Sequence, residues 1–360
     1  MTLSAPLSTR MKGLFLLGLV VAAVLGYVVG YSTAPSGAQQ SITVMTWGGN
    51  YLEASKTIGA EFTKETGAGV NYILHAGGSF TALAKFGAEK PDYEADVYMA
   101  GEVPETQAML AGYTIPITDL PSMSDIPDSL KIIQNGQVYG VAMYTTSTSW
   151  AYRTDLVTKP IDSWQSVLDP SFKGKLGIPT ASFSARFLIG LALWKGGSEY
   201  NIDPGFQAAI DLAKGGYIGG LFSSDADNIR LLTTGQTPLV WSDSQNVYAA
   251  GQNATPVSFA RSLSDGKVLV SGDFVGVLDT PKKDLAKKYV DLVISAQWNG
   301  MFSSTVGGPP SNLKATVEPK WAAYTIDPSA AYHVNATYVA TVQGSWNQRW
   351  ETEVQPLIHG

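Results

Sequence analysis

Three aromatic residues at or beside strand-like runs, Trp47, Tyr51 and Trp241, and two aspartates, Asp243 and Asp273, are the side chains of this sequence best suited to chemistry. That chemistry is noncovalent. An indole face attracts a cation and packs an alkyl chain, and a carboxylate in a cleft pairs with an ammonium group. Ser79, Thr145 and Thr148 add hydroxyls that can hydrogen-bond a solute. Each residue also has an ordinary structural use. The tryptophans can be core, and Tyr51 can staple a helix start. Asp243-Ser244 reads as a helix N-cap, Asp273 after Gly272 as a turn aspartate, and the hydroxyls as caps and turns. Asp225 and Asp227 precede a helix near 229–232 and read as caps.

Turnover chemistry finds little support. The three histidines, His75, His333 and His359, have no HExxH or paired spacing, and there is no cysteine, so no zinc site or thiolate nucleophile is expected. No GxSxG elbow, P-loop or strand-following GxGxxG is present. Catalytic residues, metal ligands and cofactors are therefore expected to be none. With 24 basic against 30 acidic residues the formal charge is −6, which argues against a nucleic-acid partner and mildly favours a cationic solute. A merely soluble acidic surface explains the charge equally well.

The elements that must position these residues follow an α/β order. Residues 42–47 alternate apolar and polar as a strand does, break at Gly48-Gly49, and precede a helix whose Ala54, Ile58 and Phe62 share a face. Strands at 70–74 and 96–99 follow. Ser79 is placed to cap a helix carrying Leu83 and Phe86, and Pro104 to occupy the first turn of another. A β-branched run at 140–152 is expected to cross between lobes. A second unit holds helices near 187–194 and 204–214 and a strand at 238–241; then 268–278 returns into a helix at 281–298. At 360 residues and 45% hydrophobic content the chain exceeds one ordinary core and can fill two. The expected division is lobe 1 from 42–143 with about 270–318, lobe 2 from 144–269, and a helical segment at 319–360.

Ahead of these, Arg10 and Lys12 precede an uncharged apolar run at 13–31 and a small, polar linker at 32–41. The run suits a transmembrane anchor, and Ser36-Gly37-Ala38 offers a signal-cleavage site; both readings put the bulk of the chain outside the cytoplasm. Asn253-Ala254-Thr255 and Asn335-Ala336-Thr337 are weak glycosylation sequons that fit this address.

Several motifs stand in a familiar order. They are Thr46-Trp47-Gly48-Gly49, Gly77-Gly78-Ser79-Phe80, Asp96-Val97 with Gly101, the 139–155 crossover, and Ser163-Trp164 through Pro170 to Lys173-Gly174-Lys175-Leu176. Trp241, Gly272-Asp273, Val306-Gly307-Gly308-Pro309-Pro310-Ser311-Asn312 and Trp346-Asn347-Gln348-Arg349-Trp350 complete it. In this order and spacing, covering nearly everything after residue 41, the chain resembles the extracellular solute-binding proteins of ABC importers, in particular their spermidine/putrescine branch. The resemblance implies a bilobal, type II-like periplasmic-binding-protein fold that closes on a hinge, acts as a monomer and hands a small-molecule solute to permease membrane subunits.

One departure bears on the ligand. Polyamine binders of this type carry an acidic pair after the KGKL strand, where this chain reads Pro179-Thr180-Ala181-Ser182-Phe183-Ser184. A buried ammonium needs charge partners, so a smaller or zwitterionic amine fits better than a long polyamine. An anionic solute met by Arg186 and Arg261, ferric iron held by tyrosinates, and a surface protein without a solute remain as alternatives. The iron branch carries adjacent tyrosines, and this sequence has no Tyr-Tyr pair.

Overall fold

A computed structural model describes residues 40–358 apart from 76–77, 253, 325 and 327–328. The expected anchor or signal at 13–31, Asn253 of the first sequon and Gly77 of the second loop lie outside the described residues.

The first strand β1 (Ser41–Thr46) alternates as its sequence requires, sinking Ile42 and Val44 into the core. The chain turns into helix α1 (Asn50–Thr66) through Gly49, whose φ of 59° suits glycine. Ala54, Ile58 and Phe62 recur every four residues and are buried, and Gly67 ends the helix in the left-handed conformation, its N–H donating to the Thr63 carbonyl. Strand β2 (Gly69–Leu74), helix α2 (Ser79–Glu89), strand β3 (Val97–Gly101) and helix α3 (Glu102–Leu110) complete the first α/β run. Pro104 stands in the first turn of α3, as expected. Ser79 does not cap α2: Gly78, at φ 90°, takes that position and Ser79 is the first helical residue.

Strand β4 (Lys131–Gln134) leads through the Asn135-Gly136 turn, both at positive φ, into β5 (Gln137–Arg153), a strand of 17 residues. There follow β6 (Leu176–Pro179), α4 (Ala185–Trp194), α5 (Asp203–Lys214), β7 (Ile218–Phe222), α6 (Asp225–Thr234), β8 (Leu239–Asp243), α7 (Ser244–Gln252), β9 (Val257–Phe259) and β10 (Val268–Val277). The expected single helix at 281–298 is two, α8 (Lys283–Ile294) and α9 (Ala296–Val306), because Ser295 adopts extended geometry between them. Strand β11 (Ala331–His333) and helix α10 (Ala336–Arg349) follow, and a π-helical turn (Trp350–Val354) and a 3-10 turn (Gln355–Leu357) close the described chain.

One sheet runs β2-β1-β3-β10-β5-β8-β6-β7. Strand β10 lies antiparallel between β3 and β5, while β8, β6 and β7 are parallel neighbours. Among the described residues its two largest hydrophobic cores form along it, with two smaller clusters beside them. The first gathers Ile42, Phe62, Val97, Val141, Phe274 and Tyr289; the second gathers Trp150, Trp164, Leu176, Phe187, Trp241 and Trp350. Both β5 and β10 feed the two cores: Val141 to Tyr144 and Phe274 enter the first, Trp150 and Leu269 the second. Gly140 and Gly276 face each other across these strands, and the buried Glu105 side chain of α3 fills the slot they leave. A Cβ on Gly276 would stand 1.9 Å from the Glu105 carboxyl. Burial raises the pKa of that carboxyl well above the ordinary range.

Candidate ligand cleft

Asp273 sits on β10 with Gly101 of β3 on one side and Tyr144 of β5 on the other, and the β10–β5 register slips just after it. Tyr51, in the first turn of α1, and Tyr144 both donate to Asp273 Oδ2, at 2.7 and 2.5 Å, with their phenol oxygens 2.5 Å apart. Burial pushes the Asp273 carboxyl above its usual range, and these two hydrogen bonds oppose that rise. Burial, reinforced by the neighbouring carboxylate, raises both phenols well above 10, so they act as neutral donors. Trp47 packs on this group, its ring 4.8 Å from Tyr51 and 5.0 Å from His75.

The second wall comes from elements of the second core. Arg186, in the first turn of α4, donates through Nη1 to Asp243 Oδ1 at 3.0 Å and to Thr148 Oγ1 at 3.1 Å. Thr148 stands opposite Asp243 in the β5–β8 register and donates to the same carboxylate oxygen. Asp225 opens α6, and Asn246 Nδ2 donates to its Oδ1 at 2.8 Å. Asp225 is solvent-exposed at its surface, yet protein packs around its carboxyl, and this partial desolvation raises its pKa to about 6. The Asn246 bond and Arg186 oppose the rise, while Asp243 and Asp273 add to it. Glu102, at the start of α3, is pushed to about 7 by burial, against the pull of Arg186. Asp243, Asp273 and Glu102 together outweigh desolvation at Arg186 and hold its guanidinium charged.

Of the sequence-selected residues, Trp47, Tyr51 and Asp273 come together on the first wall, and Thr148 and Asp243 on the second. Asp243 faces Arg186 and Thr148 as well as preceding α7. Thr145 is taken up by the backbone of the 306–312 run, its N–H and Oγ1 donating to Pro309 O at 2.9 and 3.4 Å. Ser79 offers its carbonyl to Tyr98 Oη at 2.7 Å. Trp241 is a correction. It is 2% exposed and lies 5.0 Å from Trp164 and 5.6 Å from Trp150, ring centre to ring centre. Two residues before Asp243 on the same strand face, it forms the layer beneath the cleft and presents no wall to a solute.

Asp225 is the second correction, because Ser224 caps α6 by accepting from the Asp227 N–H at 3.1 Å, which frees Asp225 for the cleft. Tyr144 and Glu102 escaped the sequence reading altogether. Tyr144 differs from its neighbours only as an aromatic in a threonine-rich strand, and Glu102 had no signal beyond following Gly101.

A family model described as bacterial extracellular solute-binding protein matches residues 57–328. No curated protein matches the sequence. Among solved structures, the periplasmic binding protein AfuA from Actinobacillus pleuropneumoniae, with fructose-6-phosphate bound, superposes with a TM-score of 0.73 at 16% identity, covering 88% of this chain and 99% of that one. The Atu4243 GABA receptor gives 0.71 at 21% identity, over 87% and 97%. AgtB from A. tumefaciens R10 in complex with agropinic acid gives 0.68 at 17%, over 88% and 98%. At these identities the likeness establishes a shared fold.

Proposed function

The chain belongs to the bacterial extracellular solute-binding proteins, and from that premise we propose that the solute its cleft captures is a small amine. As a receptor of an ABC transporter it binds a solute, engages permease subunits and performs no chemistry. Of the three neighbours named above, one holds fructose-6-phosphate, one holds agropinic acid and one is a GABA receptor, so the fold does not choose the ligand; the side chains of the cleft must.

The observation that carries the proposal is charge. Asp225, Asp243, Asp273 and Glu102 stand around a single guanidinium, Arg186, which Asp243 already pairs. Such a cleft favours a ligand that brings positive charge and disfavours a free anion. Trp47 supplies the aromatic surface for an alkyl ammonium.

The same proposal includes two lobes, 42–143 with about 270–318 and 144–269, closing as a monomer about β5 and β10. Contacts made only in the closed state would drive that motion. It also includes export or tethering by residues 13–31. Membership of the polyamine branch receives less support, since the acids of this cleft come from α3, α6, β8 and β10 and not from the segment after β6.

Thermal unfolding of the full-length chain against amines, amine-free carboxylates, phosphates and ferric ion tests the reading. An amine at 100 times its dissociation constant should stabilise by about 2.7 kcal/mol. Stabilisation by amine-free anions alone rejects it.

A further inference from the structure

We infer that the solute is a zwitterion, an amino acid in the broad sense, whose carboxylate is received by Arg186. The inference rests on the preceding reading that the cleft takes an amine, and it adds the other end of the molecule.

Arginine carries five N–H donors in a planar fork. Nη1 of Arg186 is the atom that meets Asp243 and Thr148; among the described residues, Nε and Nη2 have no hydrogen-bond partner. These donors are not sealed away, for the side chain retains 30% exposure. The outer edge of the fork thus has no hydrogen-bond partner among the described residues and reaches solvent, and it is the edge that takes a carboxylate through two parallel bonds.

The acceptors show the matching incompleteness. Asp273 uses Oδ2 for both tyrosines, and among the described residues Oδ1 accepts no hydrogen bond. Asp225 uses Oδ1 for Asn246, and among the described residues Oδ2 has no partner. Each is therefore free on one oxygen to receive an ammonium group. Both carboxylates lie within electrostatic reach of Arg186, and Asp243, which Arg186 Nη1 pairs at 3.0 Å, adds its charge to both. A ligand with ammonium groups alone would leave the fork unfilled and set a cation beside the guanidinium. A dicarboxylate would meet Asp225 and Asp273 with like charge. An ammonium and a carboxylate on one short chain satisfy both sets.

Calorimetry on the full-length chain, kept soluble in mild detergent, would compare linear amino acids with one to five methylenes between the charged groups, the matched diamines and the matched dicarboxylates. The amino acids should bind tightest. Arg186→Gln should weaken them about 30-fold or more and strengthen the diamines, because it removes a fork and a positive charge together. Arg186→Lys, which keeps the charge and loses the fork, should fall between. Tighter wild-type binding of diamines than of amino acids overturns the zwitterion while leaving the amine reading standing. Equal weakening of both series by Arg186→Gln and Arg186→Lys likewise overturns it. Binding of dicarboxylates alone sinks both readings, and binding of no member of the set counts against the inference.

Discussion

The two walls of the cleft solve different problems. On the first, Tyr51 and Tyr144 converge on one oxygen of Asp273, and Trp47 packs behind them, so a single buried acceptor is held from several directions. On the second, Arg186, Asp243, Thr148, Asp225 and Asn246 form a chain of polar contacts that leaves Nε, Nη2 and one oxygen of Asp225 open among the described residues. A wall fixed by internal hydrogen bonds is preorganised, and a wall with spare donors and acceptors is where ligands of different chemistry can be told apart. The difference also extends below the surface, because the second wall rests on a layer of tryptophans packed edge-to-face and tilted against one another.

The largest effect tests that layer. Trp241→Ala should destabilise the protein by about 3–5 kcal/mol, because it empties a fully packed site. Trp47→Ala, at a half-buried position, should cost about 1 kcal/mol. Denaturant unfolding measures both, and equal losses would erase the distinction between a core tryptophan and a cleft tryptophan.

Next comes the rigid wall. Tyr144→Phe removes one donor from buried Asp273 and should cost about 2 kcal/mol of stability. Affinity for an amine should change less than it does in Asp273→Asn, which removes the charge. If the phenylalanine variant is as stable as the parent, the tyrosine pair does not hold Asp273.

The smallest effect is a pH dependence on the open wall. With a pKa of about 6, Asp225 becomes neutral below that value, so affinity for an amine should fall toward about tenfold per pH unit as pH drops through 6. Asp225→Asn should flatten that limb. In the ligand-free protein the sign is opposite. A carboxyl whose folded pKa is raised contributes stability at low pH and loses it as pH rises through about 6. A titration whose acid limb persists in Asp225→Asn would assign it to another group.

The strand–glycine–helix order and the buried face of α1 were legible in the sequence, because periodicity and turn residues are local properties. Tertiary structure decided the rest. Trp47 and Trp241 look alike as tryptophans at strand ends. Strand β8, however, lies in the middle of the sheet with α4 packed over its face, and its tryptophan is covered. Asp225 read as a cap because the preceding serine could not be seen to fill that role. Tyr144, Arg186 and Glu102 join the cleft only because the middle of β5 and the first turns of α4 and α3 come beside one another when the two cores share β5 and β10. Sequence alone determined the elements and the kind of chemistry they carry; which side chains meet depended on strand crossings between segments more than a hundred residues apart, and no local pattern encodes those.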